Sequence, residues 1–307
     1  MSIRRNTYDV TDRIDTTQPD RVSEEVGRIH RALYGDGESR RLAQAFRELA
    51  AYYRGEHPDY RACDTAYHDI QHVMEVTLAS ARLMDGAVRS EEVVGLDARL
   101  FLFGIVVALF HDVGYLRHRK DTRSRNGAEY TQTHVSRGSR VLARYLQELG
   151  LPELADAGAR VIHYTGYEMP VSAIDVDDEL RLVGQLVGTA DLVAQMADRC
   201  YLEKCHRRLY PEFVSGGLAA KRLPDGRVEI VYGDADDLVF KTAQFGRFAR
   251  ARLDHDLAGA RRFMAFHFDG EDPYWEAVER NLDYAAALAQ QRDVRRLRRE
   301  LPVTLTA

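Results

Sequence analysis

The stretch Leu100-Phe101-Leu102-Phe103-Gly104-Ile105-Val106-Val107-Ala108-Leu109-Phe110-His111-Asp112 decides how this chain is read. Leu100 to Phe110 is its most apolar run, and is too short to span a bilayer, which takes roughly 20 apolar residues. It reads as a buried core helix, near Asp97 to Val113, that delivers His111 and Asp112 at its end. Ionisable groups placed beside a core are costly without a partner. A metal ion is a partner that satisfies both an imidazole and a carboxylate.

Working outward, other segments carry the same kind of group on apolar helices. Upstream is Tyr67-His68-Asp69-Ile70-Gln71-His72, at the start of a helix from about Asp69 to Met84. His68 and His72 are four residues apart, so they share a helix face and reach one site. Downstream are His134, His163 and Thr189-Ala190-Asp191-Leu192. A lone His or an isolated His-Asp pair carries little information. The ordered set HxxxH, HD after an apolar helix, two spaced His, then Ala-Asp in another apolar helix carries much more. A mixed imidazole and carboxylate shell suits divalent iron, manganese, zinc or cobalt. Cys63, Cys200 and Cys205 form neither a CxxC pair nor an even-numbered framework, so no thiolate zinc site or disulfide scaffold is expected.

The rest of the pattern is helical. Val22, Val26, Ile29 and Leu33 give helical spacing up to Tyr34, stopped by Gly35-Asp36-Gly37. Leu42, Phe46 and Leu49 mark a helix over 39–54. Further helices are expected over 131–149, 152–164, 178–198, 235–267 with a break allowed, and 273–299. Pro224-Asp225-Gly226, followed by Val228, Ile230 and Val231, predicts a short hairpin.

With those residues in view, the chain resembles the HD superfamily, whose helical core binds metal through an H…HD…D pattern. The resemblance covers residues 67 to about 195, and Tyr67 to His72 resembles the YHNxxH motif of cyclic nucleotide phosphodiesterases. It implies an all-α fold, an HD-domain helical bundle with at most a short β-hairpin. Residues 1–20 would be a flexible N-terminal segment, 21–292 a single helical domain and 293–307 a basic tail. By the resemblance His72, His111, Asp112 and Asp191 hold a first divalent metal. His134 and His163 hold a second, with Asp112 bridging. The ions would be Fe, Mn, Zn, Co or Mg. The implied activity is a metal-dependent phosphohydrolase, a phosphodiesterase or phosphomonoesterase acting on a nucleotide or cyclic nucleotide. Hydroxide bridging the metals attacks, Asp112 serves catalysis through the metals, and His68 is the general acid. The same six ligands also occur in mixed-valent di-iron HD oxygenases that cleave C–C or C–P bonds, so that alternative stands. Three departures are visible. Tyr115 stands where the phosphodiesterases usually have a further His, Asp69 replaces the Asn of their HN pair, and the HD-GYP signature is absent.

Secondary features complete the expectations. The basic stretch Arg117 to Arg125 directly follows the HD pair, so Arg117 and Lys120 are candidates for binding substrate phosphate; a solvated loop is the plain alternative. Gln244, in Ala243-Gln244-Phe245-Gly246-Arg247-Phe248, is a candidate base-binding residue; an amphipathic helix with Phe245 and Phe248 in the core is its alternative. The arginines from Arg292 to Arg299 suit a helix end. With 45% hydrophobic and 30% charged residues the chain is globular in composition, and a net charge of -5 gives no reason to expect nucleic acid. A small-molecule phosphoester is the expected partner, with no membrane and with a homodimer left open. Met1 to Val10 lacks an apolar h-region, and a cytoplasmic location is expected.

Overall fold

A computed structural model describes residues 4–303 of the 307. In chain order the helices are α1 (Pro19–Tyr34), α2 (Ser39–Tyr53), α3 (Ile70–Arg89), α4 (Ala98–Phe110), α5 (His134–Glu148), α6 (Ala155–Val161) and α7 (Asp178–Ala197). There follow α8 (Tyr201–Lys204), α9 (Tyr210–Ser215), a hairpin of β1 (Ala220–Arg222) and β2 (Val228–Ile230), then α10 (Ala235–Ala251), α11 (Phe263–His267) and α12 (Pro273–Gln291). The fold is all-α with one short antiparallel hairpin, paired Ala220 to Ile230 and Arg222 to Val228.

Local sequence explains where the long helices begin. The carboxylates of Asp69, Asp97, Asp234 and Asp272 accept the backbone N–H of His72, Leu100, Asp237 and Trp275. Each cap is worth about 1 kcal/mol. The first of them fixes the turn that carries His72.

Helix α4 is apolar on every side, and every residue from Phe101 to Phe110 is buried. It packs against α2, α3, α5 and α7. The stretch Ala98–Tyr115 is long and apolar enough by composition to cross a membrane, yet 83% of it is buried within the protein. Its apolar surface is therefore satisfied by neighbouring helices. Helix α3 is buried along nearly its whole length between α4, α7, α1 and α11. Thus α3, α4 and α7 form an inner layer, which places ionisable groups from the start of α3, the end of α4 and the interior of α7.

Several boundaries differ from the expectations. The last helix stops at Gln291, not 299, because Arg292 takes a left-handed conformation with φ 49°. The tail then folds back, with Leu297 buried and Arg299 beside Glu203; residues 304–307 of the expected tail lie outside the described residues. Of the polar N-terminal segment 1–20, expected to be flexible, residues 1–3 lie outside the described residues and the rest is tied to the core. Asp9 and Arg82 form a buried ion pair at 2.6 Å, and Thr16 is fully buried. The helical segment 201–215, with a π turn at Cys205–Leu209, is not among the expected helices, although Tyr201, Cys205, Leu209 and Phe213 recur at helical spacing.

Candidate metal centre and cavity

Three inner helices bring polar side chains together. His72 comes from the first turn of α3, His111 and Asp112 from the end of α4, and Asp191 from the middle of α7. The Nε2 atoms of His72 and His111 lie 3.3 Å apart. Asp112 Oδ2 is 3.3 Å from His72 Nε2 and 3.1 Å from His111 Nε2. Asp191 Oδ1 is 3.5 Å from His72 Nε2 and 3.9 Å from His111 Nε2. The ligand atoms of His72, His111 and Asp191 all lie within 4.8 Å of one another, a spacing that can hold one metal ion.

The donor chemistry fits a divalent cation. Nδ1–H of His111 donates to the Ala108 carbonyl at 2.7 Å, which leaves the Nε2 lone pair facing the cluster. Asp112 Oδ2 is buried and has no partner in hydrogen-bonding geometry. Burial alone would lower the pKa of His72, but Asp112 and Asp191 outweigh it and hold it at about 10. Burial would raise Asp112, yet His111, His72 and His68 keep it well below the usual carboxylate range. Without a cation, then, the cluster is a mutual stabilisation of protonated imidazole and carboxylate.

The other oxygen of Asp112 faces elsewhere. Oδ1 lies 3.5 Å from His134 Nε2. His134 is the first residue of α5, and its Nδ1–H donates to the Thr131 carbonyl at 2.7 Å. The close approach needs Gly114, because a Cβ there would collide with the His134 carbonyl oxygen. The first turn of α5 is held by Glu168, whose carboxylate accepts Val135 N at 2.8 Å and Ser136 N at 3.0 Å.

His163 does not join this group. It is buried in the turn Ile162–Thr165, its Nδ1 has no hydrogen-bond partner among the described residues, and it makes no contact within 4.0 Å to Asp112 or another carboxylate. Among the described residues His134 is the middle histidine in contact with Asp112, and no such contact is seen for His163.

His68 stands beside the cluster without belonging to it. Its ring centroid is 5.7 Å from that of His72. Its Nδ1–H donates to Glu212 Oε2 at 2.5 Å, and Glu212 Oε1 also accepts the Tyr67 backbone N–H at 2.5 Å. The Tyr115 ring stacks against both His68 and His134, with centroids 4.3 and 4.4 Å away. Glu212 lies on α9, outside the helices expected from the sequence.

A cavity of about 420 Å³ opens over these groups, lined by His68, His72, Asp112, His134 and Asp191 on its polar floor. Its walls include Tyr167, Leu192, Phe213, Tyr232, Leu238 and Phe245. The one Lys or Arg lining it is Lys241, which is already paired with Asp237 at 2.8 Å.

The expected substrate-binding residues are elsewhere. Arg117 pairs with Asp64 at 2.6 Å and lines a different cleft. Lys120 is exposed and outside the cavity. Gln244 is exposed on α10, and Phe248 is 68% exposed, because the turn of that helix presents Lys241, Thr242 and Phe245 to the cavity instead. Gln195, from α7, and Gln132 are the glutamines that line it, Gln195 accepting from the Tyr67 hydroxyl at 3.2 Å.

No protein-family model matches the chain, and no curated protein matches its sequence. Its fold is similar to that of the phosphodiesterase domain of the RhoPDE fusion protein from the choanoflagellate Salpingoeca rosetta. The TM-score is 0.52 at 15% identity, over 95% of this chain and 97% of that one. A second structure, of the phosphodiesterase domain of Salpingoeca rosetta rhodopsin phosphodiesterase, gives a TM-score of 0.53 at 14% identity, over 94% and 92%. At such identity the likeness is one of fold, and that fold agrees with the all-α bundle the motif pattern implied.

Proposed function

We propose that the chain is a metal-dependent phosphohydrolase that cleaves a phosphoester, with His68 as the general acid. The observation that carries this is the His68–Glu212 pair at the edge of the His72, His111, Asp112 and Asp191 cluster. Among the described residues Glu212 is the only carboxylate within 4.0 Å of a His68 ring nitrogen, whereas His72 reaches both Asp112 and Asp191. Here Glu212 takes Nδ1–H, so Nε2 is the atom left to carry a proton to the substrate. The phosphodiesterase domains that share the fold support the same reaction class.

His72, His111, Asp112 and Asp191 would hold a divalent ion, and His134 with Asp112 Oδ1 offers part of a second position. A divalent ion there supplies Lewis acidity toward a phosphoryl oxygen and toward water. The protein's own contributions follow from the geometry. The buried floor holds the reacting phosphoryl group where Asp112 and Asp191 are fixed by packing. Tyr115 keeps the His68 ring from rotating, and Glu212 stabilises the imidazolium before its proton passes from Nε2 to the departing oxygen. The aromatic walls exclude water and receive a flat, largely apolar leaving group, as a nucleotide or cyclic nucleotide would provide. With Lys241 already neutralised, the cavity suits one phosphoryl group better than a polyphosphate.

The di-iron oxygenase alternative needs both middle histidines, and His134 alone is seen against Asp112, which favours the hydrolase reading. The test is a phosphatase and phosphodiesterase substrate panel on wild-type and His68→Ala protein. His68→Ala should keep its metal and lose about 10²–10⁴ in rate on alkyl esters. The loss should shrink for nitrophenyl esters, whose leaving groups need little protonation. Equal losses for both would remove His68 from the acid role, and oxygen consumption without ester cleavage would replace the proposal.

A further inference from the structure

The basic residues after the HD pair, which the catalytic cavity does not use, build a second cleft. Residues 59–61 and 117–119 run antiparallel. Arg61 N–H donates to the Arg117 carbonyl at 2.9 Å and Arg119 N–H to the Asp59 carbonyl at 2.7 Å, with Tyr60 opposite His118. Side chains alternate on paired extended segments. Tyr60 and His118 therefore share one face, where their rings meet at 5.5 Å. Arg61, Arg117 and Arg119 share the other. Together with Arg54 and Asp64 they line a cleft of about 480 Å³, and none of its lining residues lines the metal cavity.

Charge in this cleft is not balanced. Arg54 pairs with Glu56 and Arg117 with Asp64. Arg61 donates its side chain only to the Arg119 carbonyl, at 3.2 Å, and Arg119 donates only to the Gly55 and His57 carbonyls. Among the described residues neither has a carboxylate within 4.0 Å. Two guanidinium charges are thus held on backbone carbonyls, on a chain whose net charge is -5. Their remaining N–H groups form forks that match phosphate oxygens.

We propose that this cleft binds a small phosphate-bearing anion, with Arg61 and Arg119 as its principal contacts. Two uncompensated cations match the charge of a terminal phosphate. The backbone pairing places the arginines before the anion arrives, which lowers the ordering cost that exposed side chains otherwise carry. The inference is independent of the proposed reaction, because its readout is binding.

The experiment is calorimetric titration of the full chain at low ionic strength with inorganic phosphate, pyrophosphate and adenosine diphosphate. Saturable binding at one site is expected, weakening as salt is raised. Arg61→Gln should bind about tenfold more weakly, since it removes charge-assisted hydrogen bonds. Arg119→Lys, which keeps the charge and loses the fork, should be weakened less. His72→Ala should bind as the wild type does. Pyrophosphate as tight as adenosine diphosphate supports a free phosphate ligand, and tighter adenosine diphosphate supports one carried on a nucleotide. Absence of saturable binding, or unchanged binding in both arginine variants with unaltered circular dichroism, overturns the proposal. Loss of binding in His72→Ala also overturns it, by assigning the anion to the metal centre.

Discussion

The two oxygens of Asp112 face unlike surroundings. On the Oδ2 side, His72, His111 and Asp191 come from three helices of the inner layer, and each is less than 10% exposed. On the Oδ1 side there is His134, at the first residue of a helix led in by a loop and held by Glu168 from another loop. The first arrangement is placed by core packing, which leaves little freedom in close-packed interiors. The second is placed by a few hydrogen bonds at the surface of the core. The contrast teaches that ligands set on packed helices come preorganised, whereas ligands on loop-led segments need supporting contacts of their own.

The largest effect should come from the residue both sides share. Asp112→Asn conserves shape and removes the charge, so metal content and activity should fall together, activity on the order of 10⁴-fold. Elemental analysis alongside turnover checks this, and retained metal would place the ligand set elsewhere.

A second prediction probes the Oδ2 side alone. In the metal-free chain His72 is held at about 10, so it carries a proton at pH 7 that a metal must displace. Loading should release about one proton per ion near neutrality, and metal affinity should drop about tenfold per pH unit as the solution is acidified. Titration in weakly buffered solution measures the release. An affinity that does not change between pH 6 and 8 would mean that His72 is not a ligand.

The smallest effects should distinguish the Oδ1 side from what lies behind it. His134→Ala should lower activity about 10–100-fold, a loss typical of weakened metal support. His163→Asn should stay within about threefold of wild type, since no contact ties it to Asp112. Equal losses in the two variants would erase the distinction and restore a two-histidine second position.

Much of the inner layer was legible in the sequence because its signals are local. The run from Leu100 to Phe110 can be stable only when buried, and a helix that ends at His111-Asp112 must present those groups at its end. Pro224-Asp225-Gly226 is a turn wherever it occurs. Which residues of α10 line the cavity was not legible, because one helix carries all the candidates. Gln244 and Phe248 share a helix with Phe245, and only the packing of α10 decides which of its faces meets the cavity.

By itself, then, the sequence determined an all-α chain with a His and Asp cluster carried on apolar helices. Helical periodicity and burial act over a few residues and leave little choice at those positions. Only the tertiary structure decided that Glu212 stands behind His68 and that Glu168 holds the start of α5. It alone turned the arginines after the HD pair away from the cavity. Each of these is a contact between segments distant in sequence, and a short polar side chain has no local pattern that names its partner. Its role is set when the packed core brings the two segments within hydrogen-bonding distance.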